Sequence, residues 1–442
     1  MRLAFVALAF LACTGELLAQ TPPEAPSAFP LTLEQAIARA TATSHRLAEG
    51  RARAAAADAV TTQRDAAQRP LITAQLGYIR TNHVPEFGLP DPRGRLQVFY
   101  PDVPDNYRAR LDLQWPIYTG GRLQALERAA RAEASAVGDE LDAARADLKL
   151  EVTRAYWAAV TARESVRVLD EAVKRVDAQL GDVRVRFETG LVPPSDVTSV
   201  EAQRARQQML LIEARNQSAL AESDLARLID APVGASIELD ARLDAPSDVI
   251  APSEALLTEA RSARPERSAL ELRVQAALDR VNAARAERLP SVALVSGYDY
   301  ARPNAKIFPR RDVWQDSWDV GVNVSWSLWD GGRASAAGAE AAAMAEAARE
   351  RLADFDEVLA LEVRQRQLDL SSARAQIDAA HEGVRSAAEA HRVVQERFAV
   401  GVATTTELLD AHVALLQAEL DRTRALAGAR LAAARLDRAL GR

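Results

Sequence analysis

The sequence predicts a mainly α-helical protein that also contributes strands to a membrane β-barrel, with both parts built from a tandem duplication. Three observations support this fold class. Two unusual phrases recur, each at a spacing of 211 residues: WPIYTGGR at 115–122 returns as WSLWDGGR at 326–333, and RFETGLV at 186–192 returns as RFAVGVA at 397–403. Long stretches rich in Ala, Arg, Glu and Leu follow the phrases. Four short segments between them alternate apolar and polar residues.

The constant spacing of the repeated phrases indicates an interval that does not change length. Loops tolerate insertions, whereas packed rods do not. We therefore expect two similar halves, each made of a helix, two membrane strands and a helical hairpin. The predicted divisions are a signal peptide at 1–19, a first repeat at 20–230, a linker or equatorial segment at 231–265 and a second repeat at 266–442.

Composition restricts the class of protein and its location. Only 5% of residues are aromatic and 26% are charged, which is typical of long packed helices. The net charge of −7 argues against nucleic acid as a partner. The apolar N-terminus, with Ala19 at a good cleavage position, predicts export. Cys13 is the only cysteine, so no disulfide forms within the chain, and acylation of Cys13 is the alternative to ordinary cleavage.

The first half begins with a predicted long helix over 31–68, with Thr32 as its N-cap, which ends before Pro70. The segment 71–79 then alternates with a period of two, which indicates a strand. A loop rich in Pro, Gly and Asp over 80–106 leads to a second strand at 109–117. In that strand apolar residues face one way and Arg110, Asp112 and Gln114 face the other.

The second half repeats these strands after Pro290 and within SWDVGVNVSWSLW at 317–329. In the latter segment we expect Trp318, the three valines, Trp326 and Leu328 to share one face. Each strand has about 10 residues, enough to cross a bilayer at a tilt of ~45°, and terminal aromatic residues resemble the girdles of outer-membrane barrels. The alternative is a half-buried sheet of a soluble domain, but no segment of the sequence provides its second layer.

Both Gly-Gly-Arg sites are followed by about 64 residues of helical pattern, or roughly 96 Å of rod. A second rod returns in each half, with apolar seams at spacings of four and three residues that are typical of coiled coils. The segment from Ala231 to Pro265 is richer in Pro, Asp and Ser, and it contains one possible short strand at ASIELD, 235–240.

The repeated glycines mark turns at both ends of the rods. Backbone freedom at the Gly pairs permits a strand to become a helix, with Thr119 and Asp330 placed to cap that helix; a merely flexible joint is the alternative. Gly190 and Gly401 suit helix C-termini, and with Leu191 and Val402 they form predicted tips at which a partner docks end-on. The alternative is that these glycines only cap helices. The predicted strand-to-helix junctions are Gly120, Gly121, Gly331 and Gly332.

Four strands cannot close a barrel, because open edges in lipid leave backbone groups unpaired. Several chains must therefore share one barrel, and three chains would supply 12 strands.

The ordered, duplicated set of motifs resembles the outer-membrane efflux protein family, the TolC-like exit ducts of Gram-negative envelopes. The resemblance rests on LTLEQAIARA from Leu31, the two Gly-Gly-Arg phrases, RPE at Arg264, and the tips RFETGLVPPSDV and RFAVGVATTTELLDA. It implies a homotrimer with a 12-stranded barrel in outer-membrane lipid and a periplasmic tunnel of helices. Its implied partners are a periplasmic adaptor (a membrane fusion protein) and an inner-membrane pump of the RND, ABC or MFS type.

The resemblance also implies a tunnel constriction lined by acids at Glu407 and Asp410, with Asp196 in the matching place of the first tip. Because Thr404 and Glu407 also fit a capping box, helix capping alone is the alternative role for Glu407. The sequence departs from the family at Ser44-His45, where Asn-Pro is usual. Phe398 and Ala403 stand where some relatives carry a Tyr and an Arg that latch the entrance.

Two other function classes compete with an exit duct. Catalysis is disfavoured because the five histidines show no ligand spacing and no phosphate-binding Gly loop follows a strand. No cofactor or metal is expected. A structural periplasmic coiled-coil protein would explain the rods but not four strands of membrane length. The exported substrate is not encoded in any pattern of this chain.

Overall fold

The computed structural model describes residues 30–232, 237–243, 245 and 252–442; the predicted signal peptide and Cys13 lie outside them. The first half contains β1 (Pro30–Leu31), α1 (Leu33–Thr43), α2 (His45–Ala66), β2 (Leu71–Arg80), β3 (Phe87–Pro90), β4 (Leu96–Tyr100), β5 (Asp105–Tyr118), α3 (Arg122–Glu188) and α4 (Pro194–Leu228). The second half contains β6 (Glu238–Leu239), α5 (Ser253–Ala263), α6 (Pro265–Ala286), β7 (Ser291–Arg302), β8 (Gln315–Ser325), α7 (Arg333–Ala399) and α8 (Thr405–Ala439).

The helices of the two halves match in length, which confirms the duplication at the level of structure. Helices α3 and α7 have 67 residues each, and α4 and α8 have 35 each. At 1.5 Å per residue, each long helix extends about 100 Å. The halves differ in the loop between their strands, which covers 81–104 in the first half and only 303–314 in the second. Length variation is thus confined to a loop, as expected if the rods must stay in register.

The sequence predicts one helix over 31–68, but the structure has two, because the helix is interrupted at Ser44. Thr32 caps α1 through a capping box with Gln35, as predicted. Ser44 then takes an extended conformation, with ψ of 117°, and its hydroxyl accepts a hydrogen bond from the Leu47 amide at the start of α2. The same break recurs 220 residues later, where Arg264 is extended before Pro265. Both breaks therefore start a new helix, but by different means. Ser44 caps the first amides of α2 with its hydroxyl, whereas Pro265 lacks the backbone N–H that would continue the preceding helix.

Two further differences from the sequence analysis concern element bounds. Helix α5 lies inside the stretch 231–265, for which the sequence predicts a linker or equatorial segment, at the position that α1 occupies in the first half. The short strand expected within 235–240 is β6, which pairs in parallel with β1. Strand β8 ends at Ser325, so Trp326 and Leu328 lie beyond it, although the alternation of apolar residues continues.

The four long strands form one antiparallel sheet in the order β2-β5-β7-β8, at one end of the helical rods. Apolar clusters line the rods along their length: one surrounds Tyr156, whose hydroxyl donates to the Leu31 carbonyl at 3.0 Å, and another joins the tips. Across the described residues, no helix combines the length and the apolar character needed to span a bilayer.

Candidate functional site: the sheet faces and the hairpin tips

One face of the sheet is apolar and uncovered. Val320, Val322 and Val324 in β8 alternate with polar residues, and each is 62% exposed. Their cross-strand neighbours in β7 are Ser296, Leu294 and Val292. The apolar face continues through β5 and β2, with Leu111 and Ile72 exposed as well. An apolar surface of this extent on strands of membrane length suits contact with lipid, as on the outward face of an outer-membrane barrel.

The opposite face carries an ion-pair network, as the alternation in β5 predicts. Asp299 in β7 is buried and accepts hydrogen bonds from Arg108 Nε at 2.6 Å and Arg110 Nη1 at 2.5 Å. Arg110 Nε also donates to Asp112 at 2.7 Å. A Cβ atom on Gly297 would lie 2.5 Å from Arg110 Nη2, so this glycine makes room for the guanidinium. Charges paired in this way suit a water-filled interior.

The sheet also has two open edges. Strands β2 and β8 each pair on one side only in the described part of the chain. An edge strand of this length leaves a row of unpaired backbone N–H and C=O groups, which is costly in lipid. Another strand must therefore complete each edge when the sheet is in a membrane.

The strand-to-helix junctions have the same geometry in both halves. Gly120 and Gly121 have φ of 64° and 83°, and Gly331 and Gly332 have φ of 68° and 90°, which is the left-handed region that glycine tolerates best. Asp330 accepts hydrogen bonds from the amides of Ala334 at 2.8 Å and Gly332 at 2.9 Å, and these bonds hold the pKa of its carboxyl below the usual value.

The two junction tryptophans are tied down by equivalent bonds. Trp115 Nε1 donates to the Gln68 carbonyl at 3.2 Å, and Trp326 Nε1 donates to the Arg288 carbonyl at 3.1 Å. Both rings remain partly exposed. An indole with a satisfied N–H and an exposed ring suits the boundary between lipid and water.

At the far ends of the rods, both tips are Schellman turns. Gly190 and Gly401 have φ of 72° and 77°. The Leu191 amide donates to the Arg186 carbonyl at 2.8 Å, and the Val402 amide donates to the Arg397 carbonyl at 2.9 Å. The side chains of Leu191 and Val402 are 73% and 65% exposed. Each turn therefore presents an apolar side chain beyond the end of its rod.

Contacts between the two tips involve residues to which the sequence analysis gave no role or a different one. Phe398 and Ala403 are buried in one apolar cluster with Val183 and Val200 of the first hairpin. The Arg186 guanidinium lies 4.5 Å from the Phe398 ring centroid and donates to the Phe398 carbonyl at 3.1 Å. Asp196 accepts a hydrogen bond from the Thr405 hydroxyl at 2.6 Å. The tips are thus held together by packing, a cation–π contact and hydrogen bonds from Arg186 and Thr405.

The acids at the second tip are placed on the surface. The Glu407 carboxylate accepts a bond from the Thr404 amide at 2.7 Å, which completes the capping box and holds its pKa below the usual value. Glu407 and Asp410 are both exposed and lie three residues apart, so they share a face of α8. Capping by Glu407 is therefore observed, whereas a ring of acids requires further copies of the chain and stays a prediction.

A histidine pair, with His412 buried and His391 half-buried, is a second feature that the sequence did not predict. His391 in α7 and His412 in α8 have ring centroids 4.5 Å apart. Arg175 of α3 lies nearby and forms an ion pair with Glu419 at 2.9 Å. Burial, the neighbouring His391 and Arg175 lower the pKa of His412 to about 4, and burial and Arg175 also lower that of His391. Both residues flank Gly401 at nearly equal distances along the chain, a pattern that could have revealed the pair.

The lowered pKa of His412 predicts that the hairpin loses stability in acid. An unfolded histidine titrates near pH 6.5, whereas His412 stays neutral in the folded protein down to about pH 4. The unfolded chain therefore binds more protons, so the contribution of His412 to stability is complete above about pH 6.5 and falls as pH decreases, by on the order of 3 kcal/mol per chain at pH 4.

We expect His412→Gln to flatten the fall in Tm between pH 7 and 5, measured by circular dichroism. The exposed His381→Gln is the control; equal slopes in all three proteins would contradict the expectation.

These features define a class of protein: an outer-membrane channel protein with a two-faced sheet at one end of paired helical rods. Residues 36–231 and 256–442 match the model of a family described as Outer membrane efflux protein. The chain belongs to that family, whose members are channel proteins rather than enzymes.

Individual proteins show the same relationship. The chain is 24% identical to Outer membrane protein TolC of Vibrio cholerae over 314 residues, 70% of this chain and 71% of the relative. It is 26% identical to Alkaline protease secretion protein AprF of Pseudomonas aeruginosa over 322 residues, 71% and 65% of the two chains. The solved CmeC outer membrane channel of Campylobacter jejuni has the same fold, with a TM-score of 0.77 at 16% identity over 92% of this chain and 85% of that chain.

Proposed function

We propose that three copies of this chain form a passive exit duct for a tripartite efflux or type I secretion system. The observation that carries the proposal is the open-edged sheet, with one apolar and one charged face, at the end of rods about 100 Å long. Three such sheets joined edge to edge would give 12 strands with lipid outside and paired charges inside. The duplicated hairpins would continue this barrel as a periplasmic tunnel.

The partners follow from the other end of the rods. The exposed tips at Gly190, Leu191, Gly401 and Val402 would dock onto a periplasmic adaptor, which connects the duct to an inner-membrane pump of the RND, ABC or MFS type. AprF is by its name a protein of alkaline protease secretion, which is why secretion stands beside efflux in the proposal. A structural coiled-coil role would leave the two-faced sheet without a purpose.

The tips provide the functional test. Gly401 has φ of 77°, so any large residue there strains the backbone whether or not a partner docks. Val402 and Leu191 are better positions because their exposed side chains can change without loss of packing. We expect Val402→Glu combined with Leu191→Glu to reduce export at least tenfold, because charged groups would be buried against the adaptor.

The measurement is accumulation of a pump substrate in cells that express the variant as their only duct. The matched control is Val402→Ile with Leu191→Met, which keeps both side chains apolar and should export normally. Trimer mass in mild detergent must be unchanged in both variants. Normal export by the double Glu variant would show that docking does not use these tips.

A further inference from the structure

One Arg–Phe pair joins the two tips of the chain. The duplication supplies a second such pair, which does not form within the chain. In the observed contact, Arg186 of α3 lies over the Phe398 ring of α7 and donates to the carbonyls of Phe398 and Ala399, both at 3.1 Å. At the repeat spacing of 211 residues, the residue of the second half that corresponds to Arg186 is Arg397. The residue of the first half that corresponds to Phe398 is Phe187. The duplication has therefore kept both members of the pair.

The copied pair is not used within the chain. Phe187 is 43% exposed, whereas Phe398 is 6% exposed. Arg397 is exposed, and within the part of the chain that the structure describes its guanidinium makes no hydrogen bond, aromatic contact or ion pair within 4 Å. Its charge does act on Glu407, where it helps to lower the pKa of the carboxyl. One arginine and one phenylalanine of the same motif thus remain available, one at each tip.

The rods show the same asymmetry along their length. Helices α3 and α7 have equal length, but 19 residues of α3 are buried and only eight of α7. Likewise 13 residues of α8 are buried and only seven of α4. Leu420 of α8 packs against an apolar cluster formed by residues of α3, α4 and α8, whereas its copy Met209 in α4 is 70% exposed. Helix α3 is covered by α6 as well as by α8 of the same chain. The corresponding faces of α7 and α4, the copies of α3 and α8, have no comparable cover among the described residues.

We infer that a second copy of this chain covers these faces: α7 of one copy packs on α4 of the next, and Arg397 lies over Phe187 of that next copy. This inference rests on the proposed trimer. The repeat operation that carries the first hairpin onto the second would carry the second hairpin onto the first hairpin of the next copy. Arg397 then donates to the carbonyls of Phe187 and Glu188, the copies of Phe398 and Ala399. Six equivalent arginine clamps would encircle the entrance, three within chains and three between them.

The between-chain clamps are the ones that hold copies together at the tips, far from the shared sheet. A cation over an aromatic ring, with added hydrogen bonds to carbonyls at the end of a helix, stabilises such a contact without a complementary acid. If the hairpins contacted only adaptor proteins and no second copy of this chain, the Arg397 guanidinium and the Phe187 ring would not pair with each other.

Crosslinking of the full-length protein in membranes tests the pair directly. Phe187→Cys combined with Arg397→Cys, treated with a short bismaleimide, should give dimer and trimer bands on a denaturing gel. The control pair, Arg186→Cys with Phe398→Cys, should give only monomer because its link is within one chain. Each single-cysteine variant should also stay monomeric.

The result is interpreted beside the mass of the same preparation in mild detergent. A trimer whose 187/397 pair yields only monomer would overturn the inference and leave the proposed function intact, whereas a wild-type protein that is monomeric would refute the proposed assembly. If either single-cysteine variant gave dimer and trimer bands as strong as those of the 187/397 pair, the inference would also be overturned, since the crosslinks would reflect random collision between chains.

A second readout avoids cysteine. Arg397→Ala should lower the temperature at which the trimer dissociates in detergent, and an unchanged temperature would contradict the clamp.

Discussion

Val322→Arg is expected to abolish assembly of the protein in the outer membrane. Val322 lies in the middle of β8, is 62% exposed and belongs to the apolar face of the sheet. An arginine on the lipid face of a barrel at the bilayer midplane costs about 2–4 kcal/mol. Three copies would multiply that cost to roughly 6–12 kcal/mol, comparable with the whole stability of many proteins.

The neighbouring residue supplies the control, because consecutive strand residues point to opposite faces. Asn323→Arg places the same side chain on the charged face, beside β7, where water and ion pairs accommodate it. We expect Asn323→Arg to reach the outer-membrane fraction at near wild-type levels and Val322→Arg to be degraded or aggregated. Equal amounts of both variants in that fraction would mean that this face does not contact lipid.

Replacing Glu407 by Gln together with Asp410 by Asn is expected to remove most of the block that multivalent cations exert on the channel. Both carboxylates are exposed on one face of α8, and the bond from the Thr404 amide lowers the pKa of Glu407 below its usual value. Three copies would bring six carboxylates into one ring, and such rings favour cations and bind multivalent ones. We expect the double variant to lose at least tenfold in sensitivity to a trivalent cation added on the periplasmic side of a planar bilayer.

Helix capping is the competing explanation for these acids, and Thr404→Val separates the two roles. This variant removes the hydroxyl that accepts the Glu407 amide at 3.2 Å but leaves both carboxylates. If the acids form a ring, Thr404→Val keeps the block and only weakens the helix end, by about 1 kcal/mol. Equal block in wild type and in the double variant, with the trimer intact, would show that the acids only stabilise α8. Asp196→Asn should have the smaller effect, since Asp196 is engaged by the Thr405 hydroxyl.

Features that depend on local patterns could be predicted from the sequence. Alternation located the four long strands and their two faces, and the glycines located the turns at both ends of the rods. The break at Ser44 was missed because the sequence around it is helical in composition and lacks a proline, whereas its copy has Pro265. The end of β8 was missed because alternation continues through Leu328, while the Trp326 indole is drawn to the Arg288 carbonyl, a contact that no local pattern encodes.

Contacts between the repeats were beyond the reach of local patterns. Arg186 and Phe398 are 212 residues apart, and only the fold brings them together. Their recurrence as Arg-Phe in both tips was visible in the sequence, but without the observed contact the repeated glycines were the more obvious landmark. The trimer itself depends on surfaces whose partners lie in other copies, so the uncovered faces of α4 and α7 became evident only when burial in the two halves was compared.

Single-channel recording of the purified protein in a planar bilayer tests the central claim most directly. The protein, extracted in mild detergent at the mass of three chains, should insert and give discrete, steady current steps without nucleotide or pump, as expected of a passive duct. A trimer that inserts but carries no current under any applied voltage, or a stable monomer that conducts by itself, would contradict the shared barrel and the duct built upon it.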